Sequence, residues 1–134
     1  MVKRELRLEH NGQKLRVPVK FDTQAHIGDF DAYLNACIRW EHAMKEHPSD
    51  KADEAYGRAI MSLYTLVFGE QWAKTIETFF GEDALAMVQA VNPYILQRVV
   101  PDVRKVSVMR QEEERRKFLR ERKKAVRDAK AQAH

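Results

Sequence analysis

The large apolar side chains run out well before the chain does. Residues 110–134 contain Phe118, Leu119 and Val126 as their only large hydrophobics, set among ten Lys or Arg and five Asp or Glu. A segment with so little to bury cannot help build a core, however good its helix formers are. Any fold must therefore come from residues 1–109. Residues 110–134 are expected to form a basic tail, either a solvated helix or a partly disordered one. Charge divides in the same way. The net charge is +4 over 134 residues, but residues 1–101 hold 12 basic and 14 acidic side chains, against 12 and 6 in residues 102–134. A near-neutral body with a basic extension points to a partner for the extension.

Within the body, residues 4–9 alternate polar and apolar, with Leu6 and Leu8 on one face. Residues 14–21 repeat the pattern with Leu15, Val17, Val19 and Phe21. Asn11-Gly12 between them is a strong two-residue hairpin signal, and Pro18 on the polar face suits an edge strand. A lone hairpin is marginal, so its apolar face needs cover from helices.

Four helices are expected to follow. Asp29 is expected to cap the first, whose stripe is Phe30, Tyr33, Leu34, Cys37, Ile38 and Met44. Ser49 or Asp50 caps the second, with Ala52, Ala55, Tyr56, Ala59, Ile60, Leu63 and Val67 inward and Gly69 at its end. The third runs from Glu70 to Phe80, with Trp72, Ile76, Phe79 and Phe80 inward. The fourth starts near Glu82-Asp83 with Leu85, Val88 and Val91 on its face, and Pro93 should kink or restart it. A long charged helix begins near Asp102, its seam Val103, Val106 and Met109. The expected fold class is α+β, mainly α: a two-stranded β-hairpin, a compact bundle of about four helices and a long charged C-terminal helix.

Little in the sequence suggests catalysis. There is no glycine-rich phosphate loop, nucleophile elbow or dinucleotide fingerprint. One cysteine excludes a disulfide framework and a thiolate zinc cluster, and Cys37 on an apolar stripe reads as core. Of the five histidines, His42 and His47 are five apart, and Glu46 stands four after His42; no third ligand converges on them. Asp22, Asp29 and Asp31 read as turn and cap residues. No catalytic residue, cofactor or metal is expected, and the chain is not read as an enzyme. The charged start and the lack of any run of about 20 apolar residues argue against a secretory signal and a membrane span, so an intracellular protein is expected.

The side chains left over point to binding. Trp40 and Tyr64 fall off the stripes of their helices, so each either extends the core or anchors an interface. In the tail, Arg115, Arg116, Phe118 and Arg122 are the interface candidates. Three readings fit the tail: phosphate contacts to nucleic acid, docking on a helical or acidic protein, or a solvated helix held by pairs such as Glu112–Arg116 and Glu113–Lys117. Phe118 is the one aromatic available for base stacking, and glutamates interrupt the basic run, so a protein partner is favoured over nucleic acid.

The order of these features resembles a known family. An Asn-Gly hairpin leads through Val17-Pro18-Val19-Lys20-Phe21-Asp22 into compact helices. Leu66-Val67-Phe68-Gly69-Glu70-Gln71-Trp72 follows, then Phe79-Phe80-Gly81-Glu82 and a charged terminal helix. Over most of residues 1–125 this layout resembles the small tail assembly chaperones of long-tailed phages and prophages of Gram-positive bacteria. The resemblance implies a non-enzymatic protein of the host-cell cytoplasm, absent from the mature virion, that holds the helical tape measure protein soluble during tail assembly. It also implies self-association and, in some members, a longer frameshifted form. The family carries no catalytic residues. The alternative is a small nucleic-acid-binding or nucleoprotein-associated protein that uses its basic C-terminal helix.

Overall fold

The computed structural model describes residues 4–132, so His134 and the first three residues of the charged start lie outside it. Strand β1 (Arg4–His10) pairs antiparallel with β2 (Gln13–Val19) in the register Leu6 to Val17 and Leu8 to Leu15. The loop is the two residues Asn11 (φ 51°) and Gly12 (φ 78°). Positive φ at both is what a type I′ turn demands, and its twist matches that of the strands. Leu6, Leu8 and Val17 are buried, while Pro18 is paired with Glu5 on the exposed face. His10 at the strand end packs on Phe80, with ring centroids 5.0 Å apart.

Helix α1 (Ile27–Glu46) and helix α2 (Asp50–Phe68) form an antiparallel pair across a three-residue link. Ser49 is the N-cap of α2, its Oγ accepting from the Ala52 amide at 3.1 Å, with Asp50 and Asp53 favourably placed in the positive first turn. Asp29 does not cap α1: the helix begins two residues earlier behind His26, and Asp29 sits in its first turn. Gly69 (φ 88°) ends α2 and opens α3 (Glu70–Phe80), a conformation that only glycine adopts without strain. Asp83 caps α4 (Ala84–Tyr94) by accepting from the Ala86 amide at 3.0 Å.

Helix α2 lies at the centre, with α1, α3 and β2 against it, while α4 covers α3 and β1. It is therefore buried on two sides. Alongside the expected stripe, Tyr64 and Phe68 are buried and pack edge to face. The expected stripe of α1 is too wide. Phe30 and Cys37 are buried, but Tyr33 (38% exposed) and Ile38 (55%) face outward, because α1 is covered along one narrow side by α2.

Of the two outcomes expected at Pro93, a restart is not seen: the helix runs on through the proline and enters a π turn two residues later. Backbone angles stay helical from α4 through a π turn (Ile95–Val99) into α5 (Val100–Gln132). The Val100 amide donates to the Ile95 carbonyl, one residue further back than in an α-helix. The buried positions explain why. Met87, Val91, Ile95, Val99 and Val103 recur at every fourth residue. At 3.6 residues per turn such a row drifts by about 40° per step, or about 160° over its length, and would wind away from the core. A π turn inserts one residue, which takes back about 100° of that drift. Leu85, expected inward, belongs to a different phase and is 68% exposed.

Beyond the π turn, α5 is held to the body over only its first turns. Arg4 forms an ion pair with Asp102, and Arg110 donates to the carbonyl of Gln24 in the β2–α1 link. Val103 is buried and Val106 half-buried, whereas Met109 is already exposed.

Inserting an alanine after exposed Gln97 would exceed the one extra residue that the π turn absorbs and swing Val99 and Val103 about 100° off the core. We predict a loss of roughly 3 kcal/mol, from two buried valines at about 1.5 kcal/mol each. Gln97→Ala, which keeps the residue count, should cost less than about 0.5 kcal/mol. Urea denaturation of the two variants measures the difference.

Candidate protein-docking surfaces

Two surfaces stand out, at opposite ends of the continuous helix. The first is the tail itself. Every described side chain from Val108 onward is exposed, yet the backbone remains helical to Gln132. Phe118 is 61% exposed, and Leu119 and Val126 are also open to solvent. Leu119, Arg122, Lys123 and Val126 lie together along one side of α5, as their helical spacing requires. The result is a narrow apolar stripe bordered by Arg and Lys. The ion pairs found among the described residues lie elsewhere in the chain, so the expected Glu112–Arg116 and Glu113–Lys117 pairs are not closed.

The second surface is a groove of about 460 Å³ between the end of α1, the start of α2 and the first turns of α4. Met44, Tyr56, Ile60, Leu85 and Val88 line it, with Glu41, Lys45 and Asp53 at its polar positions. Lys45 is paired with Glu41 at 3.2 Å, and Asp53 has no ion pair among the described residues. Gly57 also lines the groove, from the middle of α2. A glycine there costs about 1 kcal/mol relative to alanine, and a Cβ on it would meet no atom within 4 Å. Packing inside this chain therefore gives no reason for the glycine.

The sequence candidates divide between body and tail. Arg115, Arg116, Phe118 and Arg122 all lie on the exposed part of α5. Trp40 is on α1, half-buried against the core, with the Arg39 guanidinium 5.6 Å from its ring centre. Tyr64 is a correction. It is 0% exposed, and its hydroxyl donates to Asn92 Oδ1 at 2.6 Å, tying α2 to α4. A side chain with no surface cannot anchor a partner; its off-stripe position reflects the second buried side of α2. The groove residues Met44, Leu85 and Val88 were not identifiable as a surface, because the sequence assigns all three to core faces.

Titratable chemistry in the body is subdued. Burial, and then the Glu41 carboxylate, push the Cys37 thiol up to about 11 from its ordinary 9.0. Burial likewise raises the phenols of Tyr56, Tyr64 and Tyr94. A neutral, buried thiol is a poor nucleophile. His42 Nε2 is 3.2 Å from Glu46 Oε1, one turn on. Among the described residues, no three His, Cys, Asp or Glu side chains gather as metal ligands, and no helix is long and apolar enough to cross a membrane.

No family model matches the chain, and neither the curated proteins nor the solved structures provide a match. The functional reading therefore rests on the residues themselves and on the resemblance in layout.

Cys37 makes a pH prediction. The folded protein holds the thiol proton more tightly than the unfolded chain does, so this contribution is complete below about pH 9 and lost as pH rises through about 11. Urea midpoints should fall across that window. In Cys37→Ala the fall should be shallower, the remainder coming from the buried tyrosines.

Proposed function

We propose that the protein is a non-enzymatic assembly chaperone that binds a long helical client, of the kind represented by a phage tape measure protein, and keeps it soluble until assembly. The observation that carries this reading is the exposed half of α5. A helix supported at one end by a folded body presents Phe118, Leu119 and Val126 to solvent between basic side chains. An amphipathic client helix can pack against that stripe and order along it, with binding energy coming mainly from the buried apolar anchors. The basic border selects clients with acidic flanks and keeps the complex charged. A chaperone needs no catalytic group, and the one thiol is locked in the core.

A role in nucleic-acid binding is the competing reading, since ten Lys and Arg follow position 109 on an exposed helix. It requires mainly phosphate contacts, because Phe118 is the sole aromatic in the tail. Salt separates the two. Phosphate binding weakens by orders of magnitude between 50 and 200 mM salt for a protein making about 6–10 phosphate contacts, whereas apolar docking does not.

Co-expression with a tape measure fragment should leave most of that fragment in the soluble fraction, and the pair should co-purify at 200 mM salt. Phe118→Glu combined with Val126→Glu should return the fragment to the pellet without unfolding the chaperone, since both sites are exposed. A fragment that stays insoluble with the natural chain, together with salt-sensitive capture of nucleic acid, would overturn the proposal in favour of the competing reading.

A further inference from the structure

We propose that the groove between α1, α2 and α4 is one end of a longer seam that binds a single amphipathic helix of a partner protein, about three turns long, with aliphatic anchors along one face and one cationic side chain at one end. The seam is separate from the exposed half of α5, and the inference does not rest on the function proposed for that helix.

The groove does not stop at Tyr56. A second void, of about 90 Å³, opens beyond it between α1, α2 and the π turn, and Glu41, Tyr56 and Ile60 line both spaces. Together they form one seam, with α2 as its floor, α1 as one wall and α4 with the π turn as the other. Each element presents a stripe of similar length. The floor runs from Asp53 to Leu63, one wall from Lys45 back to Leu34, and the other from Leu85 to Leu96. At 1.5 Å per residue these stripes are roughly 15–17 Å long, the rise of three helical turns.

The seam also gathers the exposed apolar side chains of the body. Among the described residues before α5, the exposed large hydrophobics are Tyr33, Ile38, Leu85 and Leu96, and the last three stand on the walls of the seam, each more than half exposed. Apolar side chains clustered along one concave feature mark a binding surface, whereas scattered ones do not. Leu85 and Leu96 lie at opposite ends of their wall, so a small molecule seated beside Leu85 would leave Leu96 bare. A helix covers both. Gly57 lies on the floor, where an added Cβ would meet no atom within 4 Å. That opening leaves room for an anchor side chain of the occupant and gives the glycine a use that packing within its own chain does not. Charge sets the remaining feature. The charged residues lining the seam are Glu41, Lys45 and Asp53. Lys45 closes on Glu41, and Asp53 has no ion pair among the described residues. The Asn92 carbonyl is already engaged by Tyr64. One carboxylate is therefore left for the occupant, at the end where α2 begins, while the end at Leu34 and Leu96 is apolar. A helix with aliphatic residues at i, i+3, i+4 and i+7 and a lysine or arginine one turn beyond complements both ends.

The probe is a fluorescent synthetic peptide with leucines at i, i+3, i+4 and i+7, a lysine one turn after the last leucine, and alanine and glutamine elsewhere. Its control has the same residues in an order that scatters the leucines around the helix. Fluorescence anisotropy should show the first peptide binding the full-length protein, and the control binding at least roughly tenfold more weakly. Phe118→Glu combined with Val126→Glu should leave the affinity unchanged, which separates the seam from the tail. Gly57→Leu fills the floor and should weaken binding about tenfold. The same variant should raise the urea midpoint, because leucine is the better helix former and meets open space there. Asp53→Lys should weaken binding of the lysine peptide about threefold and reverse the preference, so that a version with glutamate in place of the lysine binds this variant better. No binding of the first peptide, equal binding of the control, loss of binding in the tail variant or full binding by Gly57→Leu would each overturn the proposal, as would a charge preference that Asp53→Lys does not reverse.

Discussion

Everything distinctive about this molecule depends on a conflict between two periods. The last long helix must bury one residue in every four, from Met87 to Val103, to close the core. An α-helix turns every 3.6 residues and cannot hold that row on one side. The π turn at Ile95–Val99 reconciles the two. It lets a single helix serve as core element at its start and leave the body as a straight projection. Its neighbours cooperate: Pro93 and Pro101 each withhold a backbone donor on either side of the turn, and both are exposed. The Tyr64–Asn92 hydrogen bond and the Arg4–Asp102 pair secure the helix just before and just after it.

From that arrangement the surfaces follow. Because the helix is continuous, the basic tail is carried away from the groove rather than folded over it. Neither surface satisfies the other within one chain, and both stay available to partners. The buried thiol and the raised phenols show a body whose ionisable groups are kept neutral in the core. The charge of the protein is displayed at its ends.

Much of the fold could be read from the residues. Asn11-Gly12 set the hairpin and its register, because both residues accept positive φ; Ser49 and Gly69 marked helix ends through cap chemistry that is local to a few residues. The tail was legible for an equally simple reason, the lack of apolar side chains. What failed was phase. Tyr33, Ile38 and Leu85 look like core residues because periodicity counts apolar side chains without knowing how wide the covering neighbour is. Tyr64 stayed open between core and interface because α2 has two buried sides and the main stripe describes one. The full row from Met87 to Val103 was hidden because its spacing fits no regular α-helix, and Pro93 left both a kink and a restart open. The groove was invisible on the same account: its lining had been assigned to the core.

The central claim is that one unbroken helix carries the tail away from the body. Spin labels at the exposed positions Gln89 and Arg120, in a Cys37→Ala background and at high dilution, measure it by their separation. At 1.5 Å per residue the account predicts a narrow distribution centred near 45 Å. A broad distribution, or one centred below about 30 Å, would mean that the helix breaks at the π turn or beyond, and would contradict it.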